Sequence, residues 1–188
     1  EKRVLLPSTI LFLSVFSFGV VLTLVPDLSS HLGIQNKGLF FAVFTLSSLG
    51  IRLIAGRTSD RIGRVRVMRV AAGVMVLAMV AVAFASSKVM LLGAAVLFGA
   101  AVGMYSPTTT AWVVDRSLEN YRGRALATMY IFLELGIGLG ALVSSWLYNN
   151  KPENFQIAFL FSAGVAFLGF LLLMFIKSDR KNSPDLVA

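Results

Sequence analysis

Arg57-Thr58-Ser59-Asp60-Arg61-Ile62-Gly63-Arg64-Val65-Arg66 is a short, highly charged stretch between two long apolar runs, with Gly56 just before it. In a lipid-embedded chain, charges this dense must lie in water, because a charged side chain in hydrocarbon is expensive. Read as a loop, the stretch ends one membrane span and begins the next, and it fixes the side on which both ends emerge.

Working outward, six apolar runs cover residues 4–25, 38–55, 67–85, 89–114, 125–148 and 155–176. A hydrocarbon core of about 30 Å needs about 20 helical residues, so each run is a candidate span. Pro, Gly and Ser are scattered through them without two-residue alternation, which argues for helices over barrel strands. Composition agrees: the 188 residues are 57% hydrophobic and 14% charged, with mean hydropathy +0.82, whereas soluble domains carry about a quarter charged residues. The chain is therefore read as an all-α membrane protein with six transmembrane helices in one bundle.

The net charge is +8, and its placement says more than its sum. With an even number of spans both termini share one side. That side holds 14 cations: Lys2, Arg3, Arg52, Arg57, Arg61, Arg64, Arg66, Arg69, Arg116, Arg122, Arg124, Lys177, Arg180 and Lys181. The other side holds 3: Lys37, Lys88 and Lys151. The positive-inside rule makes the richer side, and with it both termini, cytoplasmic. Topology thus accounts for the basic residues, and nucleic acid is set aside as a partner. There is no cysteine, hence no thiol chemistry. The first run is too long for a signal peptide and no small-residue cleavage site follows it. The chain starts with Glu1 rather than Met, so a fragment or processed product is expected.

One domain over residues 1–188 is expected, since no link is long enough to separate two. Outer loops fall at 26–37, 86–88 and 149–154. A second basic-side link falls at 115–124, and 178–188 forms a polar, frayed tail. Asn36 and Ser87 are expected helix caps, and Pro7 fits a first turn. Trp112, Trp146 and Tyr148 lie where interfacial aromatic belts form. Two G-x-x-x-G patterns, Gly99/Gly103 and Gly136/Gly140, let helix backbones approach closely, for packing or as a sliding surface.

Asp60 sits near the end of the second span, where a helix C-terminus disfavours a carboxylate without a partner. Arg61 and Arg64 are near enough to supply charge, and the start of the fifth span at Ala125 could supply backbone N–H groups. Gly56 permits close backbone approach and Gly63 a tight turn. The stretch reads as a polar latch. A plain topology loop needs cations but not Gly and Asp at set spacings. Gly56, Asp60, Arg61, Gly63 and Arg64 match the signature loop of the major facilitator superfamily, which reads Gly, three residues, Asp, Arg or Lys, one residue, Gly, Arg or Lys; Thr58 departs from its usual apolar residue. Pro26 and Gly33 resemble the family's outer turn after the first helix. Asp115 with Arg122-Gly123-Arg124-Ala125 resembles its loop between the fourth and fifth helices.

Members of that family normally have twelve helices in two similar halves, so this chain resembles one half. No Arg lies between Lys88 and Trp112, and no Pro follows Gly136 to Gly140, both marks of the first half. The resemblance therefore points to the C-terminal half. It implies a multi-pass protein of the cell membrane, the inner membrane in a bacterium. Its partners would be lipid, a small solute, and the other six-helix half or a homodimer mate. The family's first and fourth helices line a central cavity, which places Ser14, Phe18, Thr23, Tyr105, Ser106, Thr108 and Thr109 as candidate lining residues. Pro107 frees the carbonyl of Gly103.

Glu134 is the one acid deep inside a span, and it reads either as an ion- or proton-coupling site or as a packing contact to a helix or to another half. Arg52, one turn inside the second span, reads as a snorkelling cation. His31 reads as a solvated loop residue. No metal, nucleotide or cofactor motif is present. Three functions are weighed. The first is half of a secondary active transporter for a small amphiphilic or drug-like solute, working by alternating access with ion or proton coupling. The second is a membrane enzyme, which the single intramembrane carboxylate supports poorly. The third is a non-transporting scaffold or sensor that keeps the fold.

Overall fold

The computed structural model describes residues 2–176. Six long helices follow one another: α1 (Leu5–His31), α2 (Leu39–Ile62), α3 (Arg64–Ala83), α4 (Lys88–Arg116), α5 (Arg122–Tyr148) and α6 (Phe155–Phe175). All six are long and apolar enough to cross a membrane, and no strand occurs among the described residues. Glu1 and the expected tail at 178–188 lie outside the described residues.

The helices run past the apolar stretches that announced them. The charged segment expected as a loop is instead the last two turns of α2, and Gly63 alone separates α2 from α3. Nothing between Arg57 and Ile62 breaks a helix, and polar residues leave the i to i−4 bonds intact. Gly63 holds φ 97° and ψ 145°, a conformation open to glycine and strained for any other residue. Pro26, expected in the outer loop, lies inside α1, which continues to His31. His31 is thus a helix end, its ring 5.9 Å from Phe155. α1 stops at Gly33, φ 70°. There the Gly33 N–H donates to the Ser30 carbonyl (3.0 Å) and the Ile34 N–H to the Ser29 carbonyl (2.9 Å). That paired pattern is how a left-handed glycine closes a helix. α5 ends at Asn149, also left-handed at φ 47°, with a single bond from its N–H to the Ser145 carbonyl (3.0 Å).

Ser87 caps α4, accepting from the Met90 N–H at 3.3 Å. Asn36 accepts from the Gly38 N–H at 3.0 Å ahead of α2. Trp112, expected in an interfacial belt, is buried beneath the Arg116 guanidinium, 5.4 Å from the ring centroid. Trp146 does face outward, 79% exposed, while Tyr148 stacks on Phe155 at 4.4 Å.

α1 packs on α5 and α6, α4 on α2 and α3, and α3 on α6, with α1 and α4 meeting in the middle. Exchanging α1–α3 for α4–α6 maps this pattern onto itself, as a repeated three-helix unit would. Glycines set the tightest approaches. A Cβ on Gly136 or Gly140 would strike the backbone of Phe12 or Phe16 in α1, and one on Gly19 the carbonyl of Ile137. A Cβ on Gly99 or Gly103 would strike the carbonyls of Phe44 or Ser48 in α2. Both G-x-x-x-G patterns therefore pack helix against helix. Gly56 differs: a Cβ there meets nothing within 4 Å, so the close approach expected of it does not occur within this chain.

Hydroxyls add cross-helix bonds, Ser47 to the Val96 carbonyl (2.7 Å) and Ser162 to Ser17 (3.0 Å). The core lies among α1, α3, α4 and α6 around Phe98, Phe159, Met68, Met75 and Met79. α2 and α5 are the least buried spans; Leu53 is 72% and Leu142 69% exposed.

Candidate functional site

A cavity of about 280 Å³ opens among α1, α4 and α5, with Arg52 of α2 and Met75 of α3 at its edge. Helical phase decides its walls. α1 contributes Leu11, Ser14, Val15 and Phe18, and α4 contributes Val102, Tyr105, Ser106, Thr109 and Thr110. α5 contributes Met129, Tyr130, Leu133 and Ile137. Each set steps by three or four residues, one stripe per helix. Of the residues expected from the sequence, Ser14, Phe18, Tyr105, Ser106 and Thr109 share this cavity.

Thr23 and Thr108 do not. Thr23 lies beyond the α1 stripe and donates to the Gly19 carbonyl at 2.9 Å. Thr108 follows Ser106 by two positions, about 200° around the helix, and is buried in the core with its hydroxyl unpaired. Thr109 donates to the Met68 sulfur at 3.4 Å and Ser14 to the Ile10 carbonyl at 3.0 Å. The Tyr105 hydroxyl is buried beside that of Ser14, without a hydrogen bond of good geometry.

Arg52 stands one turn before the end of the apolar run, and α2 itself continues ten residues past it to Ile62, about 15 Å by helical rise. Arg52 lines both the cavity and a shallower groove that shares Ser106 and Thr110 and reaches Asp115.

At the charged end, Arg64 organises the latch. Its Nη1 pairs with Asp60 Oδ1 at 2.6 Å and donates to Ser59 Oγ at 2.8 Å. Its Nε donates to Asp115 Oδ2 at 3.1 Å, joining the start of α3 to the end of α4. Of the two arginines expected to serve Asp60, Arg64 does so; Arg61 is exposed and forms no ion pair among the described residues. Ala125, whose N–H was expected at a helix start, is buried in the second turn of α5. A second arginine at this end, counted in the sequence only among the basic-side cations, has a structural role. Arg69 of α3 donates to the carbonyls of Leu173 (3.0 Å) and Ile176 (2.6 Å), closing the C-terminus of α6. Its signal was a cation at the start of one span facing the end of another.

Glu134 is exposed on the outer side of α5, in an open groove with Tyr130, Ile131, Leu135 and Gly138. It does not line the cavity, and no group of His, Asp and Glu that could hold a metal occurs among the described residues.

Comparison with known proteins fits this geometry. The sequence profile described as Major Facilitator Superfamily matches residues 8–187. Multidrug resistance protein 1 of Bacillus subtilis is 25% identical over 181 residues, covering 94% of this chain and 45% of that protein. The arabinose-proton symporter of Escherichia coli is 28% identical over 173 residues, covering 90% and 35%. The chain thus spans less than half the length of these relatives. Among solved structures, the POT family transporter PepTSo superposes with a TM-score of 0.79 at 15% identity, covering 96% of this chain and 40% of that one.

Proposed function

The chain belongs to the Major Facilitator Superfamily, and on that premise we propose that it supplies one six-helix half of a secondary active transporter. Its relatives are membrane transporters, so the enzyme reading is dropped. The solute is small and amphiphilic or drug-like. A relative named for multidrug resistance and another named as a proton symporter support efflux and proton coupling as the working assignment.

One observation carries the proposal: the cavity between α1 and α4, apolar walls with Ser14, Tyr105, Ser106 and Thr109 among them, sits between the two least buried spans. The exposed faces of α2 and α5 leave room for a second half, or a homodimer mate, to close the cavity. Rocking of the two bundles would then expose it to alternate sides. Gly56, Asp60, Arg61, Gly63 and Arg64 form the gating motif on the cytoplasmic side, with both termini there by the charge bias. Glu134 is the candidate coupling group, and the bacterial inner membrane the expected location.

The test is flux of the full-length protein in proteoliposomes under an imposed proton gradient, with a panel of amphiphilic dyes and a pentose. Gradient-dependent dye movement that falls severalfold in Asp60→Asn, with membrane insertion intact, supports the proposal. Absence of flux for every solute returns the protein to the scaffold reading.

A further inference from the structure

We infer that the cavity among α1, α4 and α5 receives the anionic head of a small amphiphile, with Arg52 as its charge partner and Tyr105 as a hydroxyl donor. The inference uses the cavity that the transport proposal uses, but it concerns binding and stands on separate observations.

The first is charge. Arg52 is the only ionised side chain among the cavity's lining residues, and no carboxylate lines it. A guanidinium keeps its proton in any protein environment, so the cavity carries a permanent positive charge. Two acids line neighbouring grooves. Asp115, at the far end of the adjoining groove, is already held by Arg64 at 3.1 Å. Glu134 lies in the separate groove along α5. Arg52 itself forms no ion pair or hydrogen bond among the described residues. Arg52 is exposed rather than buried, so its guanidinium is open to pair with an anion that enters the cavity.

The second is an unsatisfied donor. Tyr105 lines the cavity at 3% exposure, and its hydroxyl, beside that of Ser14, makes no hydrogen bond of good geometry. A buried hydroxyl without a hydrogen bond is unfavourable, and a ligand oxygen would satisfy it. A guanidinium and a phenol hydroxyl are both donors, so the pair suits a carboxylate, sulfonate or phosphate and disfavours an ammonium.

The third is the remaining wall. Leu11, Val15, Phe18, Val102 and Leu133 are apolar, which suits a hydrocarbon or aromatic body behind the head. The volume of about 280 Å³ sits near the low end of ligand pockets, roughly 300–1,000 Å³, which is enough for the head and the first part of the body.

Three probes with one ring system and different charge test this: 2-naphthoate, 2-naphthylmethanol and 2-naphthylmethylammonium. Each is titrated by calorimetry into the full-length protein in phosphatidylcholine nanodiscs, with empty discs subtracted. The expected result is 2-naphthoate binding about tenfold more tightly than the other two. Arg52→Gln removes that preference, Arg52→Lys keeps part of it, and Tyr105→Phe weakens 2-naphthoate severalfold. Equal affinities, a preference for the ammonium, or a preference that survives Arg52→Gln overturns the inference. The ranking of the three probes on the unsubstituted protein holds even if a variant fails to fold. An anion preference without flux in proteoliposomes sinks the transport proposal alone. Gradient-driven flux with no anion preference sinks this inference alone.

Discussion

Arg64 holds Asp115 at 3.1 Å through Nε while its Nη1 holds Asp60 at 2.6 Å, so one guanidinium ties together the ends of α2, α3 and α4. The arginine is mostly shielded, at 18% side-chain exposure, whereas Asp115 is 39% and Asp60 64% exposed. Solvent screening weakens the more exposed partner. Asp115→Asn is therefore expected to destabilise the bundle more than Asp60→Asn, each by no more than about 1 kcal/mol. A double-mutant cycle with Arg64→Gln, read by thermal unfolding in detergent, checks the order. Arg64→Lys should behave like the loss of the residue, since an ammonium cannot present the same fork to three oxygens.

The two glycines of the charged motif should respond in opposite ways. Gly63 holds φ 97°, so Gly63→Ala is expected to cost about 1–3 kcal/mol from backbone strain. Gly56 lies inside α2 with open space where a Cβ would sit. Gly56→Ala should leave the bundle as stable or up to about 1 kcal/mol more stable. Unfolding midpoints of the two variants measured side by side decide this.

Along α5 the same substitution should alternate in effect. Gly136→Ala and Gly140→Ala drive a methyl into the α1 backbone, while Gly138→Ala meets nothing within 4 Å. The first two are expected to lose about 1–3 kcal/mol or more to overpacking. Gly138→Ala should be neutral. Yield of monodisperse protein and its melting temperature report the difference.

Arg69→Met keeps much of the side-chain bulk but removes the donors to the Leu173 and Ile176 carbonyls. Loss of charged hydrogen bonds of this kind costs about 1.5–3 kcal/mol. Hydrogen exchange should quicken in the last turn of α6 and leave α1 unchanged. Uniform quickening across all helices would show that the cap is not local.

Glu134→Gln should leave stability unchanged, since the carboxyl is exposed and unpaired among the described residues. If Glu134 couples protons to transport, the variant loses the pH dependence of flux and keeps solute binding. Retained pH dependence moves coupling elsewhere.

Hydropathy made six spans and their order legible, because each apolar run is long enough to cross a bilayer. It misplaced the helix ends. Polar residues such as Thr58, Asp60 and Arg61 satisfy their backbones helically as well as apolar ones do, so the end of the apolar run is not the end of the helix. Pro26 misled for a related reason: its ring removes one hydrogen bond, yet α1 continues to His31. At the cavity, choosing α1 and α4 placed Ser14, Phe18 and Tyr105 correctly, but the phase of each helix could not be read from a hydrophobic stripe. A helix apolar all round has no such stripe. That is why Thr108 and Thr109 are grouped although they face different ways; Tyr130 and Arg52 lie on α5 and α2, outside the two helices that the resemblance names as cavity walls. The Arg64–Asp115 pair spans α3 and α4, which neither residue's local sequence reveals.

Gly63 is the whole of the joint between α2 and α3. An elbow one residue long has no slack. Any swing of α2 must pass through a single pair of backbone torsions, already set where only glycine is comfortable, or be handed on to α3. α3 in turn grips the end of α6 through Arg69. A push on the charged tip of α2 is therefore either taken up at this one glycine or passed through α3 to the end of α6.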